Sequence, residues 1–148
     1  MNKTFAEEWK LYKEGGSRPQ FIGEPPRGEA DFDAPVKAGE IRIFADMARP
    51  FVALVAEEHG VAGWLLVPVS PFTVPASPRE ALEGERVYQL WNACTASRSF
   101  VARSWRVDEI SKDEMLALNQ TIKKSKQSNN LSSAADGIVA EYEREFLV

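Results

Sequence analysis

Two apolar runs set the frame for this chain. Phe51-Val52-Ala53-Leu54-Val55 and Trp64-Leu65-Leu66-Val67-Pro68-Val69 are nearly continuous and rich in β-forming residues, the pattern of strands buried on both faces. The polar residues 57–60 between them predict a hairpin connection. Ahead of both, Ile41 and Ile43 alternate with Glu40 and Arg42 in the period-two pattern of a half-buried strand. Pro68 belongs at an edge or a bulge, because proline cannot donate to a central ladder. Pro71, Pro75 and Pro78 mark a loop, alternation resumes over residues 85–91, and Phe100-Val101 reads as one further short strand. Short strands without a βαβ rhythm point to an antiparallel barrel or sandwich, and 148 residues predict a single hydrophobic core.

Helical signals flank this block. Thr4 and Glu7 have capping-box spacing, Phe5, Trp9 and Tyr12 share one helical face, and Gly15-Gly16 ends the segment. Residues 17–35 hold four prolines among glycines and acidic residues, the composition of a linker or a strap across the domain. Ser111 and Glu114 repeat the capping box, Met115, Leu118 and Ile122 follow at helical spacing, and Lys123-Lys124 suits the helix C-terminus. Ala135, Ile138, Val139, Tyr142 and Phe146 form a last amphipathic stripe that needs a partner. The chain thus divides into an N-terminal helix and Pro-rich strap over residues 1–35, a barrel domain over 36–125 and a C-terminal helix over 126–148. The fold class is α+β, mainly β with helices.

Charge and special residues narrow the chemistry. The net charge of -4 resides in the ends: residues 36–125 hold 11 basic and 11 acidic side chains, whereas residues 1–35 hold 5 and 7. A neutral middle leaves phosphate binding open without favouring it. One cysteine, Cys94, cannot form an internal disulfide, and one histidine, His59, provides no His/Cys cluster for a metal. No metal or other cofactor is expected. The acidic N-terminal residues do not read as a signal peptide and no run reaches the length of a membrane span, so a cytoplasmic protein without membrane contact is expected.

The order of several short motifs resembles the MazF/PemK family of toxin endoribonucleases. Gly39-Glu40-Ile41 stands where that family opens its first strand, Arg49-Pro50 leads into the apolar second strand, and Pro68-Val69-Ser70 ends the third. Trp91-Asn92-Ala93-Cys94-Thr95-Ala96 is a diverged counterpart of a later strand, and Ile110-Ser111-Lys112-Asp113-Glu114-Met115 matches the entry to the closing helix. The resemblance covers roughly residues 38–125. It implies a small antiparallel SH3-like β-barrel, a homodimer with an RNA groove, an antitoxin-like protein partner, and metal-free cleavage of single-stranded RNA through the ribose 2′-hydroxyl. It places the catalytic roles on Arg49 and Ser70. A guanidinium at Arg49 would hold the charge growing on the phosphoryl oxygens, and the Ser70 hydroxyl would orient the phosphate.

Arg98, Arg103 and Arg106 interleaved with Phe100 and Trp105 have the composition of a surface that holds phosphates and stacks bases. Asn92 and Thr95 complete the expected RNA-binding set. Each residue also has a plainer reading: Arg49 as a surface arginine before a strand, Ser70 as a turn residue before proline, and Trp105 as a core residue among solvated arginines. The chain also departs from the family: the loop before Arg49-Pro50 is short, and Asn92 replaces a common Asp. These departures favour a second reading, a catalytically silent SH3-like barrel acting as a protein or nucleic-acid interaction module. In that reading the C-terminal stripe packs on the chain's own barrel or on a dimer mate.

Overall fold

The computed structural model describes residues 4–15, 35–45, 50–128 and 137–148. They form helix α1 (Phe5–Gly15), strands β1 (Glu40–Phe44), β2 (Phe51–Glu58), β3 (Trp64–Pro68), β4 (Glu80–Glu83), β5 (Arg86–Gln89) and β6 (Cys94–Ala96), helix α2 (Arg98–Ala102), strand β7 (Trp105–Glu109), and helices α3 (Lys112–Ser128) and α4 (Ile138–Phe146). The fold is mixed α+β with antiparallel pairing throughout. Five strands make one sheet in the order β6-β3-β2-β1-β7, and β4-β5 is a separate hairpin. The hairpin joins the end of β3 through a bridge between Val69 and Tyr88 and through Ser70 N–H donating to the Val87 carbonyl at 2.8 Å. Among the described residues the sheet does not close on itself, since β6 and β7 remain its two edges.

The two apolar runs bury both faces, as their composition requires. Val52, Leu54 and Ala56 of β2 pack with Ile41, Ile43 and Val67 against the hairpin and α3, while Ala53 and Val55 pack on the opposite side with Phe44, Trp64 and Leu66. Among the described residues the expected single core falls into three clusters, the third being aromatic and lying between α1 and α4. Pro68 sits where β3 has run beyond β6, whose pairing ends opposite Leu66. Both capping boxes form at their hydroxyls: Glu7 N–H donates to Thr4 Oγ1 and Glu114 N–H to Ser111 Oγ, at 3.2 and 3.1 Å. Leu118 is fully buried in the α3 contact, with Met115 and Ile122 half-buried beside it.

Three local expectations give way in the structure. Phe100 and Val101 lie in α2 rather than in a strand, because Ser97 Oγ accepts from Phe100 N–H as an N-cap and the Phe100 ring stacks on Phe44 with centroids 5.2 Å apart. The outward side of β1 is buried too. Arg42 pairs with Glu40 at 3.0 Å and donates to the Ser104 carbonyl at 3.0 Å, so it ties β1 to the end of α2, with its charge compensated inside the fold. Residues 85–91 extend only to Gln89 before a 3-10 turn at Leu90–Asn92. Among the described residues, no helix is long and apolar enough to cross a membrane. Residues 17–34 of the expected strap and Arg49 lie outside the described residues.

Candidate functional site

Ser70 follows β3 directly and is buried. Its Oγ accepts from Phe72 N–H at 3.1 Å, a local turn bond of the kind serine favours before a loop. At 3.1 Å on its other side stands the hydroxyl of Tyr142, which α4 carries into the same place. Tyr142 is completely buried. Its hydroxyl lies 2.5 Å from Glu80 Oε2 and accepts from Gln89 Nε2 at 2.7 Å. A phenol has one proton, and the carboxylate is the stronger acceptor, so the Ser70 contact is filled by the serine's own proton. Each polar atom of this group then has a partner.

Glu80 is the charged centre of the cluster. Its Oε1 accepts from Ala76 N–H at 2.8 Å, and its Oε2 also accepts from Trp91 Nε1 at 2.9 Å. Burial pushes its carboxyl above the ordinary value, and the three donors pull less strongly the other way. Burial also raises the Tyr142 phenol, reinforced by the Glu80 charge. Because the folded-state value of Glu80 is raised, folding takes up a proton. The associated stability is present in full below the ordinary value of 4.5 and is lost as pH rises through the raised value. Denaturation midpoints of the wild type, measured from pH 7 down to 4.5, should therefore carry a stabilising component that Glu80→Gln removes. Parallel profiles for the two proteins would refute this.

Asn92 anchors the end of α4. It is buried, donates to Gln89 Oε1 and to the Phe146 carbonyl, and accepts from Val148 N–H, each at 2.9 Å. Helix α1 reinforces the arrangement from the other side. Phe5 and Trp9 pack edge-on against Tyr142 at 4.9 and 5.9 Å, and the buried Glu8 carboxylate accepts from Thr73 N–H and from the Thr73 hydroxyl. The two terminal helices thus cover the loop that follows Ser70. The stripe behaves as an own-chain contact at Tyr142 and Phe146, while Ile138 stays exposed.

Among the described residues, the other expected site residues share no hydrogen bond or ion pair with Ser70 or Asn92. Thr95 is exposed on β6, while Arg106 is exposed and Trp105 half-buried on β7. These strands are opposite edges of the five-stranded sheet. Arg98 is committed to the β2–β3 connection: it donates to the Gly60 carbonyl at 2.7 Å and pairs with Glu58 at 2.5 Å. Arg103 is exposed, and Arg106 stands 3.9 Å from the buried Glu40 carboxylate. Cys94 is half-buried, and burial raises its thiol above the ordinary value. Glu80 and Gln89, central to the observed cluster, have no mark in the sequence beyond being polar residues near a loop and at a strand end.

Beside Ser70 a cleft of about 700 Å³ opens between the sheet, the hairpin and the start of α3. Its floor is apolar, formed by Ile41, Ile43, Val52, Val69 and Val87, and its charged residues are Glu85, Arg86, Asp108 and Glu114. Arg86 pairs with Asp108 across the gap between hairpin and β7. The Glu109 N–H and then this guanidinium hold the Asp108 carboxyl below the ordinary range. Among the described residues no group of three His, Cys, Asp or Glu side chains is arranged to hold a metal ion. Compared with protein-family models, curated proteins and solved structures, the chain matches none.

Proposed function

We propose that this protein is a diverged, MazF/PemK-like barrel of SH3 type that serves as a catalytically silent interaction module. The observation that carries this reading is the burial of Ser70, whose hydroxyl is spent on Phe72 and Tyr142 beneath α4. A serine that positions a phosphate must present its hydroxyl to the phosphoryl oxygens, and this one faces the chain's own helix. The adjoining cleft adds a second argument. Among the described residues three carboxylates against one guanidinium form an acidic rim, which repels a phosphate backbone and raises the cost of bringing RNA to Ser70.

The seat of Tyr142 on Ser70 favours one competing reading, a MazF-like endoribonuclease toxin of a toxin-antitoxin system held closed by its own C-terminal helix. One assay separates the two. Full-length protein, Tyr142→Ala, Arg49→Ala and the Tyr142→Ala/Arg49→Ala double variant are incubated with long single-stranded RNA in EDTA, and the products are resolved on a sequencing gel. The silent module leaves the RNA intact in every case. Discrete cuts by the wild type or by Tyr142→Ala, lost when Arg49→Ala is added, would replace the module with a metal-free ribonuclease.

A further inference from the structure

The cleft at the open side of the sheet has the features of a binding site. Its floor is apolar, and among the described residues Glu85, Asp108 and Glu114 line it opposite Arg86, which pairs with Asp108 and leaves the Glu85 and Glu114 carboxylates facing the cleft. Tyr88 ends among the same groups. It is completely buried beside the guanidinium of Arg86, with Glu114 and Asp108 the other charges that act on it. Burial, with Glu114 nearby, pushes this phenol up to about 12.

Strand β7 forms the wall of the cleft through Val107 and Asp108 and, among the described residues, is the last strand of its sheet. Its outer edge therefore offers backbone donors and acceptors to an added strand. A bulge leaves Val107 unpaired between Arg106 and Asp108, and its side chain is 42% exposed. The bulge also sets Arg106 opposite Arg42 and Asp108 opposite Ile41, on different faces of the sheet. Two copies paired about Val107 would not bring these opposite charges together, so the edge is poorly suited to self-association.

We propose that this cleft takes an extended, basic peptide segment of a partner protein, with an apolar side chain on the floor, flanking Lys or Arg side chains at Glu85 and Glu114, and its main chain along β7. This rests on the interaction-module reading. An acidic or phosphate-bearing ligand meets repulsion at the rim, and a small amine leaves both the apolar floor and the strand edge unused.

The test uses full-length protein and a fluorescein-labelled peptide, Lys-Leu-Lys-Val-Lys-Leu-Lys, with the Glu-for-Lys version and a ten-nucleotide single-stranded RNA as competing probes, read by fluorescence anisotropy at 50 and 300 mM salt. The basic peptide should bind saturably and more weakly at the higher salt. A Glu85→Gln/Glu114→Gln variant that melts like the wild type should bind about tenfold more weakly, because the lost charges are those facing the ligand. Glu57→Gln, an exposed carboxylate at the end of β2, should bind unchanged. No peptide binding, equal loss with Glu57→Gln, or preference for the RNA would overturn the proposal. So would a dimer in sedimentation that Val107→Lys dissolves, since the cleft would then be a self-interface. The RNA-cleavage assay distinguishes the two failures: intact RNA with no peptide binding removes this inference alone, whereas Arg49-dependent cutting removes the module reading beneath it.

Discussion

Tyr142→Ala should lower the unfolding free energy by about 3 kcal/mol or more, the range for removing a large buried aromatic side chain, and should free α4 from the domain. Both effects follow from the position of this one ring. It fills the centre of the cluster formed by Phe5, Trp9, Phe72 and Phe146, and its hydroxyl joins Ser70, Glu80 and Gln89. Alanine leaves a cavity and deprives a buried carboxyl of a donor. Urea denaturation measures the first effect, and amide hydrogen exchange over residues 138–148 the second. Tyr142→Phe separates the two contributions: the ring remains, the hydroxyl is lost, and the cost should fall to about 1–2 kcal/mol, that of leaving buried polar groups unsatisfied. A Tyr142→Ala protein within about 1 kcal/mol of wild type, with unchanged exchange at the C-terminus, would mean that α4 does not hold the position described.

Gly63→Ala should be at least as damaging, at about 3 kcal/mol, by a different mechanism. Gly63 adopts φ 118° and ψ −127°, a conformation that side-chain-bearing residues scarcely reach. A Cβ at this position would lie 2.0 Å from the Ala96 carbonyl oxygen and 2.9 Å from its carbon. These are backbone atoms of the adjacent strand and cannot rotate away. Trp64 pairs with Ala96 in the register of β3 and β6, so relief of the clash requires β6 to separate from β3. Gly60 provides the comparison. It also has positive φ, at 56°, but its Cβ would meet nothing within 4 Å, and Gly60→Ala should cost only about 1 kcal/mol. Thermal melts of the two variants should differ by several degrees, and equal melts would contradict the close approach at Gly63.

The elements most legible in the sequence are those whose signals are short-range. The capping hydroxyls of Thr4 and Ser111 act on an N–H three residues away, and the double-sided burial of β2 follows from an apolar run that has no polar face to offer water. Phe100-Val101 failed as a strand for the same reason in reverse. The two side chains favour β structure, but Ser97 caps a helix start immediately before them, and the stack on Phe44 holds the turn in place. Glu40 and Arg42 look like the solvated face of a strand in any local reading. Their burial depends on α2, which arrives about 60 residues later in the chain and presents carbonyls for Arg42 to satisfy.

What the sequence determined by itself was the α+β class, the hairpin of β2 and β3, the helices at both ends and the need of the C-terminal stripe for a partner, because periodicity and capping are properties of neighbouring residues. What only the tertiary structure decided was where that stripe docks and which polar groups it meets. Tyr142 reaches Ser70, Glu80 and Gln89 across 72, 62 and 53 residues. No local pattern encodes such a meeting, because it exists only once the burial of aromatic area by α1 and α4 outweighs the entropy of bringing the two ends together.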